Sequence, residues 1–265
     1  MTLAALLIAE LITALFIAGG TGSVPTGPPV ATPASLTTPT SVSREQTLRD
    51  GRTARLIGLG GHTAPLLDRI STQLDDAADA VTAFWGPDWP REIVIVAAGT
   101  DAQFSAVGGG DAHTAATTTG ERIMFAPGAA QMHDAALRIV LRHELFHYAA
   151  RAETASDAPQ WLTEGVADFV ARPPTPLPAD AAVHIQRGLP TDGELSGPER
   201  SLAYDRAWWF SRFVSDTYGT AALRALYLRA CGHGHPDVDT AVRDTLGTDV
   251  ENLLSAWRHW AGSGG

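Results

Sequence analysis

No lysine occurs anywhere in the chain, so all 19 basic residues are arginines. They face 29 acidic residues and leave a formal charge of −10, with no basic run to offset it. Nucleic acid and anionic membrane surfaces are held by clustered positive charge, so neither is an expected partner of the body of the chain. Cysteine is nearly absent too. Cys231 stands alone, which excludes an intrachain disulfide, a CxxC metal site and a lipid-anchor cysteine near the N-terminus. No internal repeat is present. What the sequence does have is 45% hydrophobic residues over 265 positions, enough for one sizeable core.

The N-terminus stands apart from that core. Thr2 to Ala18 is apolar except for Glu10, and a helix of that length reaches about 26 Å, marginal for a membrane span. It is followed by "TGSVPTGPPVATPASLTTPT", which has too few apolar groups to offset the entropy of ordering. The expectation is a signal peptide or signal-anchor helix over residues 1–20, a flexible Pro/Thr/Gly-rich linker over 21–48 and one folded domain over 49–265. Such a chain is exported, or held at a cell membrane through its N-terminal segment alone with the domain outside. Its oligomeric state carries no signal in the sequence.

Within the domain, "TARLIGL", "REIVIVAAG" and "ERIMFAP" have the composition of strands, and apolar positions spaced three and four apart predict a helix from Leu66 to Val81. Beyond Pro127 the pattern is helical, near 133–151, 160–172, 199–218, 220–231, 237–246 and 249–261. For the last, "TDVE" suggests a capping box of Thr248 and Glu251. A strand-rich first half and a helical second half imply an α+β fold with a mixed sheet.

The chemistry lies in "RHELFHYAAR". Residues four apart share one helical face, so His143 and His147 can offer ring nitrogens to one ion while Glu144 projects beside them. Zinc takes neutral histidine nitrogen and, in catalytic sites, three protein ligands. With nine histidines and ten glutamates, the pattern HExxH arises by chance in about one such sequence in a hundred. Context therefore decides. Leu137, Ile139, Val140, Leu141, Leu145, Phe146 and Tyr148 make both sides of this helix apolar, so it is central, and buried histidines need partners. The extension HExxHxxGxxH fails, because Ala150 and Glu153 stand at its glycine and third histidine. The gluzincin arrangement instead places a glutamate on the next helix. "APQWLTEGVADFVAR" supplies two carboxylates, Glu164 and Asp168, four apart on one face.

Together with "AYDRAWWFSRFV", "YGTAALRAL" and "LGTDVENLLSAW", these segments resemble the peptidase MA-like family of gluzincin zinc metallopeptidases over roughly residues 49–261. The resemblance implies a zincin-like fold with a thermolysin-like site. It implies Zn2+ held by His143, His147 and Glu164, with Glu144 as the general base for attack on a peptide bond and Asp168 orienting His143. The substrate is then a peptide or protein. Gluzincins also place a tyrosine or histidine donor near the carbonyl oxygen. Tyr204 fits that role, with a core tyrosine beside Trp208 and Phe210 as the alternative, and His184, His233 or His235 as lesser candidates. Cys231, His233 and His235 could also mimic a second metal site, against which stands the preferred reading of a Gly-punctuated exposed loop. By the same analogy Ile123 to Ala126 is the edge strand that pairs with extended substrate. A non-catalytic zincin-like module that binds a partner protein is the competing reading.

Overall fold

The computed structural model describes residues 41–60, 62–107 and 114–264. The proposed signal or anchor segment and most of the linker lie outside the described residues. Among the described residues no helix is long and apolar enough to cross a membrane.

The strands β1 (Val42–Thr47), β2 (Thr53–Leu59), β3 (Glu92–Ala98), β4 (Ala116–Thr118) and β5 (Ile123–Phe125) form one mixed sheet in the order β1-β2-β3-β5-β4. β2, β3 and β5 run parallel, and β1 and β4 flank them antiparallel. The crossover from β2 to β3 is α1 (Ala64–Trp85), and α2 (Asp101–Val107) follows β3. Buried Leu66, Leu67, Ile70, Leu74, Ala77, Ala78, Val81 and Phe84 give α1 its inward stripe, and Gly86 stops it at φ 94°, where a side chain is disfavoured. One sheet face joins this stripe in the main core. On the other face Val96, Ala98, Met124 and Ala126 cluster with Phe104 of α2.

Two corrections concern the sheet. Residues 42–47, which composition places in the linker, form β1, hydrogen-bonded along β2. The apolar criterion missed this strand because two of its three half-buried residues, Arg44 and Gln46, are polar. Arg44 pairs with Asp68, and Ser71 Oγ donates to Gln46 Oε1 at 2.6 Å, both partners lying on α1. The folded domain therefore begins by residue 42, not 49. Second, Ile123 to Ala126 is not an edge. β5 is enclosed by β3 and β4, and β4, a three-residue strand too short to stand out in "TAATTTG", is the outer strand on that side of the sheet among the described residues.

After a single 3₁₀ turn at Pro127–Gln131, the chain is helical: α3 (Asp134–Ala150), α4 (Gln160–Ala171), α5 (Ala181–Ile185), α6 (Asp192–Leu195), α7 (Arg200–Tyr218), α8 (Thr220–Cys231), α9 (Val238–Leu246) and α10 (Val250–Gly262). α3 is central, packed against α1, α4 and β4. His133 caps it, its Nδ1 accepting from Ala136 N at 3.1 Å. α4 lies along α7 so closely that a Cβ on Gly165 would meet Ala207 O at 2.5 Å. That approach brings the start of α7 against the carboxylates of α4. At α10 the cap is Asp249, whose Oδ1 accepts from Asn252 N at 2.8 Å, and not the Thr248–Glu251 box read from the sequence. α5 and α6 were not anticipated. Each is about one turn long, shorter than a periodicity can register, and α6 owes its existence to a capping box between Thr191 and Glu194.

Candidate metal centre

His143, Glu144 and His147 are fully buried on α3, and Glu164 and Asp168 come to them from the adjoining face of α4. The i, i+4 spacing does on each helix what the sequence leads one to expect. It stacks two histidines on one side and two carboxylates on the other. His143 Nε2 lies 3.1 Å from His147 Nε2 and 3.1 Å from Glu164 Oε2, and His147 Nε2 lies 3.6 Å from Glu164 Oε1. Ligands held 2.0–2.1 Å from a tetrahedral ion stand about 3.3 Å apart, so two nitrogens and one carboxylate already have the spacing that zinc requires. The donor set fits as well, since neutral imidazole and carboxylate are both zinc ligands. No other group of three such side chains is drawn together among the described residues.

The tautomer of His143 follows from its second neighbour. Its Nδ1 is 3.0 Å from Asp168 Oδ1. An ionised carboxylate only accepts, so Nδ1–H donates and Nε2 is turned toward Glu164 and His147. Asp168 Oδ2 is in turn 2.7 Å from Arg172, and Arg172 is 2.8 Å from Asp205 Oδ1. Burial disfavours the Arg172 charge, but Asp168 and Asp205 overcome this and hold its proton above the ordinary value. Burial also favours a neutral His143, yet the carboxylates of Asp168 and Glu164 raise it to about 10. Glu164 would be raised by burial, and His147 and His143 bring it down to about 2.

Glu144 behaves differently from Glu164. Burial raises its pKa, with the two histidines only partly opposing. Thr118 Oγ1 on β4 lies 2.7 Å from its Oε2, while Oε1 is buried with no hydrogen-bond partner. Tyr204, in the first turns of α7, is 1% exposed. Its hydroxyl makes no hydrogen bond of ordinary geometry. Burial first, and then the charges of Glu164, Asp168 and Glu144, raise its pKa well above the ordinary value. Tyr204 is thus brought to the cluster, and the other proposed donors are engaged elsewhere. His184 pairs with Asp180 at 3.3 Å, His233 Nε2 lies 3.1 Å from Ala152 O, and His235 sits 3.6 Å from Asp157. Cys231 is buried, and burial pushes its thiol well up.

Sequence reasoning did not find Thr118, Arg172 or Asp205. Arg172 carried a signal, standing four residues after Asp168 on one helical face. Thr118, one of two threonines in a three-residue strand, carried none.

Comparison with known proteins agrees with this geometry at the level of fold. A family model described as the eCIS core domain matches residues 94–155, a span that holds both histidines and Glu144 and ends before α4. No curated protein sequence matches the chain. Among solved structures, a mutant of a two-domain M1 zinc metallopeptidase bound to L-arginine superposes with a TM-score of 0.50 and 16% identity, covering 83% of this chain and 51% of that one. Legionella pneumophila aminopeptidase A, in complex with aspartic acid, superposes with a TM-score of 0.50 and 14% identity, covering 82% of this chain and 28% of that one. The chain spans about half and about a quarter of these two proteins. At such identities the likeness concerns the fold, which is zincin-like, with the mixed sheet in the N-terminal half and helices in the C-terminal half.

Proposed function

We propose that the chain is a zinc-dependent peptidase in which His143, His147 and Glu164 hold the metal and Glu144 is the general base. The observation that carries this reading is the convergence of three buried ligand atoms beside a buried carboxylate oxygen with no partner, Glu144 Oε1. Zinc in such a set supplies Lewis acidity, lowering the pKa of a water to about 7. Glu144 takes a proton from the attacking water at Oε1 and returns it to the amide nitrogen that leaves. The raised pKa of Glu144 suits a group that must accept a proton and give it up again. Asp168 keeps the His143 proton on Nδ1. Tyr204 donates its hydroxyl hydrogen to the carbonyl oxygen as charge develops there.

An exported or membrane-tethered setting rests on the apolar run and the linker that follows it. The two structural neighbours are named as a metallopeptidase and an aminopeptidase, which supports peptides as the substrate class.

The test pairs metal analysis with a peptide-cleavage screen. The parent should bind about one zinc per chain and cleave, and Glu144→Gln should keep the zinc and lose roughly 10²–10⁴-fold in turnover. A Gln variant that cleaves at the parental rate removes Glu144 from the role of base. A zinc-loaded parent that cleaves no peptide favours a partner-binding module.

A further inference from the structure

A carboxylate has two equivalent oxygens, and a proton taken at the wrong one is not delivered to the leaving nitrogen. In this site the two oxygens of Glu144 are not equivalent. Oε2 is 2.7 Å from Thr118 Oγ1, and Oε1 has no partner although both are buried. Thr118 Oγ1 also lies 2.9 Å from the main-chain oxygen of Glu144 itself. A hydroxyl has one proton, and a carbonyl in the middle of α3 already accepts from the helix, so the carboxylate is the better acceptor.

Why threonine reaches Glu144 at all follows from strand register. Thr119 N donates to Arg122 O at the turn, and Ala126 N to Ala115 O at the other end of the hairpin. Antiparallel alternation then turns the main-chain groups of Thr117 toward β5 and those of Thr118 away from it. Side chains alternate as well, so Ala116 and Thr118 share one sheet face. It is the face that packs on α3, where Thr118 Oγ1 meets Glu144. Thr118 is 2% exposed there, held by a strand on one side and by the helix on the other.

We propose, resting on the peptidase reading, that Thr118 is the positioning residue that makes Glu144 a one-oxygen base, binding Oε2 so that Oε1 alone exchanges protons with substrate and water. When Oε1 carries the proton, Oε2 is a carbonyl-type oxygen and accepts from Thr118 as before. The hydrogen bond therefore persists through the cycle, and the carboxyl group does not rotate to park its proton against β4. Thr118 touches no reacting atom. Its effect passes through Glu144.

Thr118→Val replaces the hydroxyl by a methyl of similar size, and Thr118→Ser keeps the hydroxyl. In the full-length zinc-loaded chain, Val should lower kcat by about 10–100-fold, as for partners that orient site residues. KM and chelator-measured zinc affinity should stay within about threefold, and Ser should restore most of kcat. Thr118→Ala serves as a second hydroxyl-free variant if Val does not fold. A readout independent of activity is the crystal structure of the hydroxyl-free variant, in which the Glu144 carboxylate should turn away from its parental orientation. Parental kcat in Val or Ala, a Ser variant as slow as Val, or an unmoved carboxylate overturns the proposal. Its failure is distinct from failure of the peptidase reading. If Glu144→Gln still hydrolyses peptide the base assignment falls, and the crystallographic comparison continues to test whether Thr118 orients the side chain.

Discussion

His143 Nδ1 is hydrogen-bonded to Asp168 Oδ1 at 3.0 Å, whereas its Nε2 lies 3.1 Å from Glu164 Oε2. The two carboxylates of α4 thus engage opposite nitrogens of one ring. Sequence spacing alone makes them alike, and the structure separates them. Glu164, with the longer side chain, reaches both histidines, and Asp168 reaches only the far side of one.

Zinc affinity should accordingly fall in the order parent, Asp168→Asn, Glu164→Ala. The Asn variant keeps all three ligand atoms and loses the charge that fixes the His143 tautomer, a change worth about 10–100-fold. The Ala variant leaves two histidines and should fall further. Competition with a chromophoric chelator measures both, and an Asp168 variant that binds more weakly than Glu164→Ala would exchange the two roles.

Arg172 is expected to matter more for stability than its place at the end of α4 suggests. It neutralises Asp168, which is fully buried, and ties it to Asp205 at the start of α7. Arg172→Met leaves the Asp168 charge without its cationic partner, and breaking such a buried pair costs about 3–5 kcal/mol. For a domain of this size that corresponds to roughly 5–20 °C in Tm. Thermal unfolding of the metal-loaded variant within 1–2 °C of the parent would show, as an approximate threshold, that solvent or Asp205 rearrangement compensates.

Zinc binding should release a proton near neutral pH. The carboxylates of Asp168 and Glu164 raise His143 to about 10, so with only these charges around it the ring is protonated at pH 7.5. A ligand must be neutral, and the Nε2 proton is the one displaced. The raised pKa fixes the sign. Apparent affinity should rise with pH up to about 10, by nearly tenfold per unit where His143 alone is titrating. Calorimetry in two buffers of different ionisation enthalpy counts the protons. A count near zero at pH 7.5 would mean that His143 is already neutral.

Most of the scaffold was legible because long amphipathic elements declare their period. α1, α3, α4, α7, α8 and α10 lie within a few residues of the positions the apolar spacing gives. β1 was not, since its inner side is Arg44 and Gln46, whose burial depends on Asp68 and Ser71 some 25 positions away. β4 was not, since three residues carry no period. The clustered side chains could be read because His143 and His147, and likewise Glu164 and Asp168, sit one helical turn apart. Thr118 could not, because its contact with Glu144 depends on strand register and on which face of the sheet meets α3. Local pattern specifies an element, and the meeting of two elements specifies the groups that position the site.

Tyr204 offers the sharpest separation between a working and a merely structural residue. Its hydroxyl is buried among carboxylates and makes no hydrogen bond of ordinary geometry. A hydroxyl buried there with no more than a poorly aligned contact to Glu164 adds little to folding, so a purely structural tyrosine here would tolerate phenylalanine. In the proposed site the hydroxyl hydrogen is available to an oxygen that arrives with the substrate. Tyr204→Phe should therefore unfold no earlier than the parent and bind zinc about equally well, because Glu164 and both histidines remain in place. Turnover should fall by about 10²–10³-fold with little change in KM, since a donor to developing charge acts on the transition state and not on ground-state binding. Melting temperature, zinc titration and steady-state kinetics on one preparation decide the matter. An unchanged kcat together with a raised Tm would return Tyr204 to the core beside Trp208 and Phe210 and leave the oxyanion donor to be sought elsewhere.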